Sequence, residues 1–135
     1  MTKIGMSINQ SPVIVGVSAA DIADGRMKGV KFDTSGKIVI CSTAGEAAAG
    51  VLIAQGDKDI RAGEEVTVQI KDIGYAKAGA AIKAGDLVAV DADGTFKTAA
   101  ASQFIVGMAV TEAKAAGSVF QIQLIKGGYV PGASA

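Results

Sequence analysis

Histidine and tryptophan are absent from the 135 residues, and there is a single cysteine. Without His there is no His-based triad, no imidazole metal ligand and no His pH switch. One Cys forms no internal disulfide and no Cys-rich zinc site. Net charge is missing too, since 13 Lys and Arg balance 13 Asp and Glu. Nucleic-acid binders carry a basic excess, which this chain lacks. Aromatic residues make up 4%, too few for a base-stacking row or a sugar platform. The longest unbroken apolar or Gly stretch, AAAGVLIA from Ala47 to Ala54, is far short of the ~20 residues of a membrane span. The N-terminus, MTKIGMSINQSPV, has no apolar h-region, so no secretory signal is expected. The chain is expected to stay where it is made, or to be built into something assembled there.

What is present is small. Alanine (25) and glycine (18) dominate the composition. The length suits one domain with a real core. Small side chains bring little area per residue, however, so burial stabilises weakly and partner subunits are favoured.

The informative signal is internal repetition. Val30-Lys31-Phe32-Asp33-Thr34-Ser35-Gly36 matches Val88-Ala89-Val90-Asp91-Ala92-Asp93-Gly94. Gly50-Val51-Leu52-Ile53-Ala54 matches Gly107-Met108-Ala109-Val110-Thr111, and the run from Ala62 to Ile70 matches the run from Ala116 to Leu124. Two related halves follow, about 20–71 and 80–125, packed on one core. A shorter element, Ile-x-(Ala/Asp)-Gly, recurs at Ile22–Gly25, Ile60–Gly63 and Ile82–Gly85. Each copy precedes a β-type run and reads as a turn rather than a phosphate cradle.

Apolar residues then alternate. Val66, Val68 and Ile70 point one way and Thr67, Gln69 and Lys71 the other, while Phe120, Ile122 and Leu124 alternate with Gln121 and Gln123. Turn signals recur about every ten residues, the spacing of a sandwich or barrel. The expected fold class is therefore mainly β, a compact β-barrel or sandwich with an internal two-fold repeat and little helix. Ala44–Ala49 and Thr98–Phe104 are expected to form one or two helical turns each. Phe32, Phe96, Phe104 and Phe120 fall in periodic runs and are expected in the core. The domain is expected over 13–126, between a flexible N-terminal arm, 1–12, and a flexible C-terminal tail, 127–135.

Candidate chemistry is thin. Asp91-Ala92-Asp93-Gly94 opens like a calcium loop. Position twelve is Ser102 instead of Glu, and Gly94 falls at four instead of six, so a hairpin turn is the preferred reading. Met27-Lys28 beside a turn resembles the modified Met-Lys-Met of biotinyl and lipoyl domains. The next residue is Gly29, and the Lys is not at a central hairpin. Cys41 follows Ile38-Val39-Ile40 and reads as a buried thiol with no His to activate it. The scattered acids read as solvated edge charges. No catalytic residue, cofactor or metal ligand is assigned, and an enzyme is not expected. Tyr129, in the tail, is an interface candidate.

The stretch from Ala78 to Val88, then Asp91–Gly94, Ile105–Ala109, Ala116-Gly117 and Phe120–Leu124 resembles small tailed-bacteriophage capsid cement (head decoration) proteins. The resemblance spans about 13–125 and consists of Gly, Ala and β-branched positions. It implies a β-tulip-like fold and attachment to the outer face of the phage head. It further implies a homotrimer that clamps neighbouring major capsid subunits, made in the host cytoplasm. No nucleic acid, membrane or small-molecule substrate is implied. An N-terminal arm reaching onto the capsid would correspond to residues 1–12. The contact candidates are Thr2, Lys3, Ile4, Met6, Ile8, Asn9, Gln10 and Pro12, with Tyr129 and Val130 in the tail. The alternative is a small β-type ligand-binding or carrier module of the biotinyl/lipoyl kind. A binding module would show a pocket with converging polar groups, and a carrier an added mass on Lys28.

Overall fold

The structure, a computed structural model, describes residues 11–53 and 59–132. Among the described residues ten strands follow one another: β1 Val13–Val17, β2 Gly29–Phe32, β3 Ile38–Ile40, β4 Gly50–Leu52, β5 Glu65–Gln69, β6 Asp72–Lys77, β7 Leu87–Val90, β8 Phe96–Thr98, β9 Phe104–Ala109 and β10 Val119–Tyr129. They form two five-stranded antiparallel sheets, ordered β1-β5-β4-β2-β3 and β6-β10-β9-β7-β8. The fold is the sandwich-like all-β architecture that period-two alternation predicts.

The second strand order is the first shifted by five strands. Each sheet also curls so that the residue after its first strand meets its far edge. Ser18 bridges Ile38 in one sheet and Ala78 bridges Phe96 in the other. The pairs Val30–Gly50 and Val88–Gly107 occupy matching places. These features are compatible with the repeated sequence. The sheets take in more chain than the expected halves, starting at Val13 and ending at Tyr129.

Alternation sorts the side chains. In β5 Val66 and Val68 are buried, and in β10 Phe120, Ile122 and Leu124 are buried. One cluster gathers Val30, Ile38, Leu52, Val66 and Val68, flanked by the partly buried Ile14, Ile40, Ile60 and Ile70. The larger cluster fills the second sheet around Phe96 and Phe120, whose rings meet edge to face at 6.3 Å. It also takes in Cys41, Ala48 and Val51 from the first half. Val51 and Leu52 are adjacent in β4 and point to opposite faces. One fills the first cluster and the other glues the halves together.

Backbone contacts complete that seam. The Gly29 amide donates to the Gly94 carbonyl at 2.8 Å, Lys77 to Met27 at 2.9 Å, and Gly45 to Val90 at 2.8 Å. A Cβ on Gly29 would lie 2.4 Å from Val90 Cγ1, so only glycine lets the halves approach this closely.

Four expectations need correction. Neither Ala44–Ala49 nor Thr98–Phe104 is helical. Gly45 (φ 78°) and Ser102 (φ 66°) are left-handed, which interrupts a right-handed turn before it can nucleate. Phe32 is 47% exposed, because it is the last residue of β2 and stands at the rim before the Asp33–Gly36 turn. Gly127, Gly128 and Tyr129 lie in β10 rather than in a tail. A bulge between Leu124 and Gly128, with positive φ at Lys126 and Gly128, re-registers the chain so that Tyr129 pairs with Phe104. Finally, the Ile22 turn element puts its positive φ on Asp24 and not on Gly25, unlike its relatives at Gly63 and Gly85.

Candidate contact surface

The first sheet uses its outer face at β4 to bury Val51 against the second half. The outer face of the second sheet has no such cover over most of its width. Register places its residues in rows. Ile73, Gln123, Met108 and Leu87 stand side by side across β6, β10, β9 and β7. Tyr75 stands opposite Gln121 in the next row, with Val110 alongside, its amide on the Gln121 carbonyl at 2.7 Å. Val119 stands opposite Lys77 in the last row. Ile73 and Tyr75 are 54% and 61% exposed, and Leu87, Val110 and Val119 between 40% and 47%. Apart from Lys77 at the margin, which reaches Asp24 at 3.8 Å, these rows carry no formal charge.

A groove of about 400 Å³ adjoins this face. Met27, Leu52, Ile53, Gln69, Ile73, Gly74 and Tyr75 line it. It is uncharged, so it offers apolar area with one amide for orientation. Two further hollows, one lined by Lys28 and Asp21 and the other by Lys83, Asp86 and Glu112, hold charges that are spread out or already engaged. Asp86, for instance, accepts from Lys83 N and Thr98 Oγ1, both at 3.0 Å.

The carboxylates with shifted acidity serve the seam between halves. Asp93 accepts from the Thr95 hydroxyl at 2.5 Å and the Thr95 amide at 3.0 Å. The hydroxyl bond foremost holds it below the ordinary Asp value. Burial pushes Glu46 upward, but Lys31 and the amides of Thr43 and Ser42 outweigh it, and its acidity also lies below the ordinary Glu value. Asp93 precedes Gly94 and Glu46 follows Gly45, two seam residues. Cys41 is fully buried, and burial pushes its thiol up to about 12, which leaves almost no thiolate at neutral pH. Among the described residues no group of three or more His, Cys, Asp or Glu is placed to hold a metal ion. Asp91–Gly94 makes the β7–β8 hairpin turn, with Gly94 N on the Asp91 carbonyl at 3.0 Å. Lys28 sits at the seam, where a Cβ on Gly94 would lie 3.3 Å from its own Cβ.

Of the expected contact residues, Thr2, Lys3, Ile4, Met6, Ile8, Asn9 and Gln10 lie outside the described residues. Pro12 is exposed, and its carbonyl accepts from Ile70 at 2.8 Å. Tyr129 is 62% exposed, its ring held edge to face against Phe104 at 5.4 Å. Val130 is tied to Gln103 through its amide at 2.9 Å. Pro12 belongs with the first sheet and Tyr129 with the second, so no strand pairing joins them. Sequence reasoning passed over Ile73 and Tyr75. Their signal is an inverted alternation in β6, with large residues outward and Gly74 and Ala76 inward.

A family model described as phage cement protein matches residues 34–124, more than half of the chain. No curated protein matches the sequence. Among solved structures, the N base of the head fiber gp8.5 of bacteriophage phi29 is similar. The TM-score is 0.61 over 86% of this chain and 95% of that one, at 19% identity. At that identity the likeness shows the fold alone.

Proposed function

Since the chain belongs to the phage cement protein family, a family of capsid-associated structural proteins of the virion, we propose that it binds the outer surface of the phage head and clamps neighbouring major capsid subunits as a homotrimer. The exposed rows of Ile73, Tyr75, Leu87, Val110 and Val119 on the outer face of the second sheet, uncharged apart from Lys77 at the margin, are the observation that carries this reading. Exposed apolar rows rimmed by polar residues mark interaction surfaces, and Tyr is favoured at their centres. Tyr75 and Ile73 would lie against a capsid subunit. The arm residues Thr2, Lys3, Ile4, Met6, Ile8, Asn9, Gln10 and Pro12 would add contacts, with Tyr129 and Val130 at another edge.

A structural clamp needs no reaction, and no catalytic role is proposed. It needs a rigid body and many contacts repeated by symmetry, so that modest affinity per copy becomes strong holding through avidity. The test is co-sedimentation with expanded heads of the parent virus, followed by thermal melting of the heads. Wild-type chain should pellet with the heads and raise their melting temperature. Tyr75→Glu combined with Ile73→Glu should weaken binding by about thirtyfold or more, as for the loss of an interface hot spot. Heads that melt identically with and without the chain would overturn the clamp. Unchanged binding by the double variant would move the contact away from this face.

A further inference from the structure

Backbone bonds put the two halves in step. In the first, the Met27 amide donates to the Leu52 carbonyl and that of Cys41 to Gly29. In the second, the Gly85 amide donates to the Ala109 carbonyl and that of Ala99 to Leu87. The hairpin turns agree as well. Asp33 donates to Lys37 and Gly36 to Asp33 after β2, as Asp91 donates to Thr95 and Gly94 to Asp91 after β7. Leu87 therefore stands in the second half where Gly29 stands in the first, and Phe32, Gly36 and Lys37 stand where the second half has Val90, Gly94 and Thr95.

The seam joins two unlike surfaces. It sets Gly29 and Ile40 of the first half against the β7–β8 turn of the second, where Val90, Gly94 and Thr95 are buried. Each surface has a counterpart that stays bare among the described residues. On the β2–β3 turn Phe32 is 47% exposed, and Gly36 and Lys37 are exposed too. At the counterpart of Gly29, Leu87 is 40% exposed beside the exposed Thr98. Val130 closes one end of this second surface, because the Ser102 amide donates to its carbonyl at 3.0 Å, as the Gly45 amide does to Val90. Leu87, Thr98 and Asp86 are what remains open. Charge is complementary, with its sign reversed from the seam. There Lys28 lies near enough to Asp93 to favour its charged form. The bare pair has Asp86 in place of Lys28 and Lys37 on the turn, and neither forms an ion pair among the described residues.

We propose that copies of this chain join head to tail, the bare β2–β3 turn of one copy setting Phe32 on Leu87 of the next, with Lys37 toward Asp86. The seam between halves is thus repeated between chains. A leucine stands where the seam has glycine, so this joint is wider and made by side chains rather than by backbone. A contact between unlike surfaces closes into a ring or runs on as a filament. The inference rests on the homotrimer in the reading above, which is the ring of three, and names the surfaces that join its copies. Ile73 and Tyr75 on β6 lie three strand spacings from β7, about 14 Å, so a capsid contact there leaves the joint free.

Sedimentation velocity of the full-length chain over a concentration series tests it. The wild-type chain should self-associate. Phe32→Glu and Leu87→Glu should each weaken that association by at least about tenfold. Phe32→Ser should act in the same direction without added charge, which covers the case of a badly folded Glu variant. Mixed together, the two Glu variants should form a pair and grow no further, because one keeps the Leu87 surface and the other keeps the turn. A mixture that stays monomeric would overturn the proposal. Wild-type association that survives Phe32→Glu would overturn it too, and would leave the homotrimer standing on other surfaces. A wild-type chain that is still monomeric at about 1 mM would overturn both.

Discussion

The two sheets share one strand order but fill it differently. In the second, Phe96 and Phe120 interlock among buried Val, Ile and Leu. In the first, five buried aliphatic residues lean on four isoleucines that remain partly in water. The difference sits at matched hairpins. Phe96 on β8 faces Val90 across the ladder, whereas Phe32 on β2 faces Ile38 and ends at the rim. A ring placed one strand over is enclosed in one half and wet in the other. The first half is compensated by lending Cys41, Ala48 and Val51 to its neighbour's cluster. One topology thus yields a core and a dependent lobe, and a chain so rich in Ala and Gly gains more from sharing one large cluster than from two small ones.

The sharpest way to break this comparison is to remove one anchor from each side. Phe120→Ala should cost about 3–5 kcal/mol and loosen both halves, because the cluster it leaves also holds the seam. Leu52→Ala should cost nearer 2–3 kcal/mol, since its partly exposed neighbours can settle into the space. Urea unfolding followed by probes in each half decides the matter. Equal costs, or a Phe120→Ala chain whose first half melts unchanged, would mean two independent cores.

The seam comes next. Gly29→Ala should cost about 1–3 kcal/mol, because the new methyl group meets Val90, which has nowhere to move. A melting curve unchanged by this substitution would show that the halves are not locked at Gly29.

Acid should loosen the same seam more gently. Asp93 and Glu46 both titrate below their ordinary values in the folded chain. Their contribution is therefore complete above the unfolded values, about 3.9 and 4.3, and is lost as pH falls through the lower folded values. Thermal scans between pH 5 and pH 2 should show falling stability that is shallower in Asp93→Asn combined with Glu46→Gln. The same slope in both chains would remove these carboxylates from the account.

The smallest effect is expected at the surface. Tyr75→Ala should change stability by no more than about 0.5 kcal/mol. Tyr129→Ala should cost about 1 kcal/mol, because its ring leans on Phe104. The two tyrosines are almost equally exposed, so denaturation curves of the pair separate a side chain kept for contact from one that also holds the fold.

Much of the architecture was legible in the order of residues. Period-two runs such as Val66–Ile70 and Phe120–Leu124 declared strands, because a pleated chain has only two faces and one of them must leave water. Cys41 followed the same logic into the interior. The matched stretches at Val30–Gly36 and Val88–Gly94 fall on the β2–β3 and β7–β8 hairpins, an arrangement compatible with the repeat. The contact face was less legible. Ile73 and Tyr75 look like ordinary interior residues in sequence, and only their pairing with Gln123 and Gln121 turns them outward.

By itself, then, the sequence determined strands and turns, since these depend on neighbours along the chain. Tertiary structure alone decided which half keeps its own core, that Val51 serves the other half's cluster, that Phe32 stays wet, and that Tyr129 belongs to a strand and not a tail. Each of these depends on which distant residue arrives opposite, and cross-strand register and the depth of enclosure are properties of the assembled sheets, invisible to a window moving along one strand.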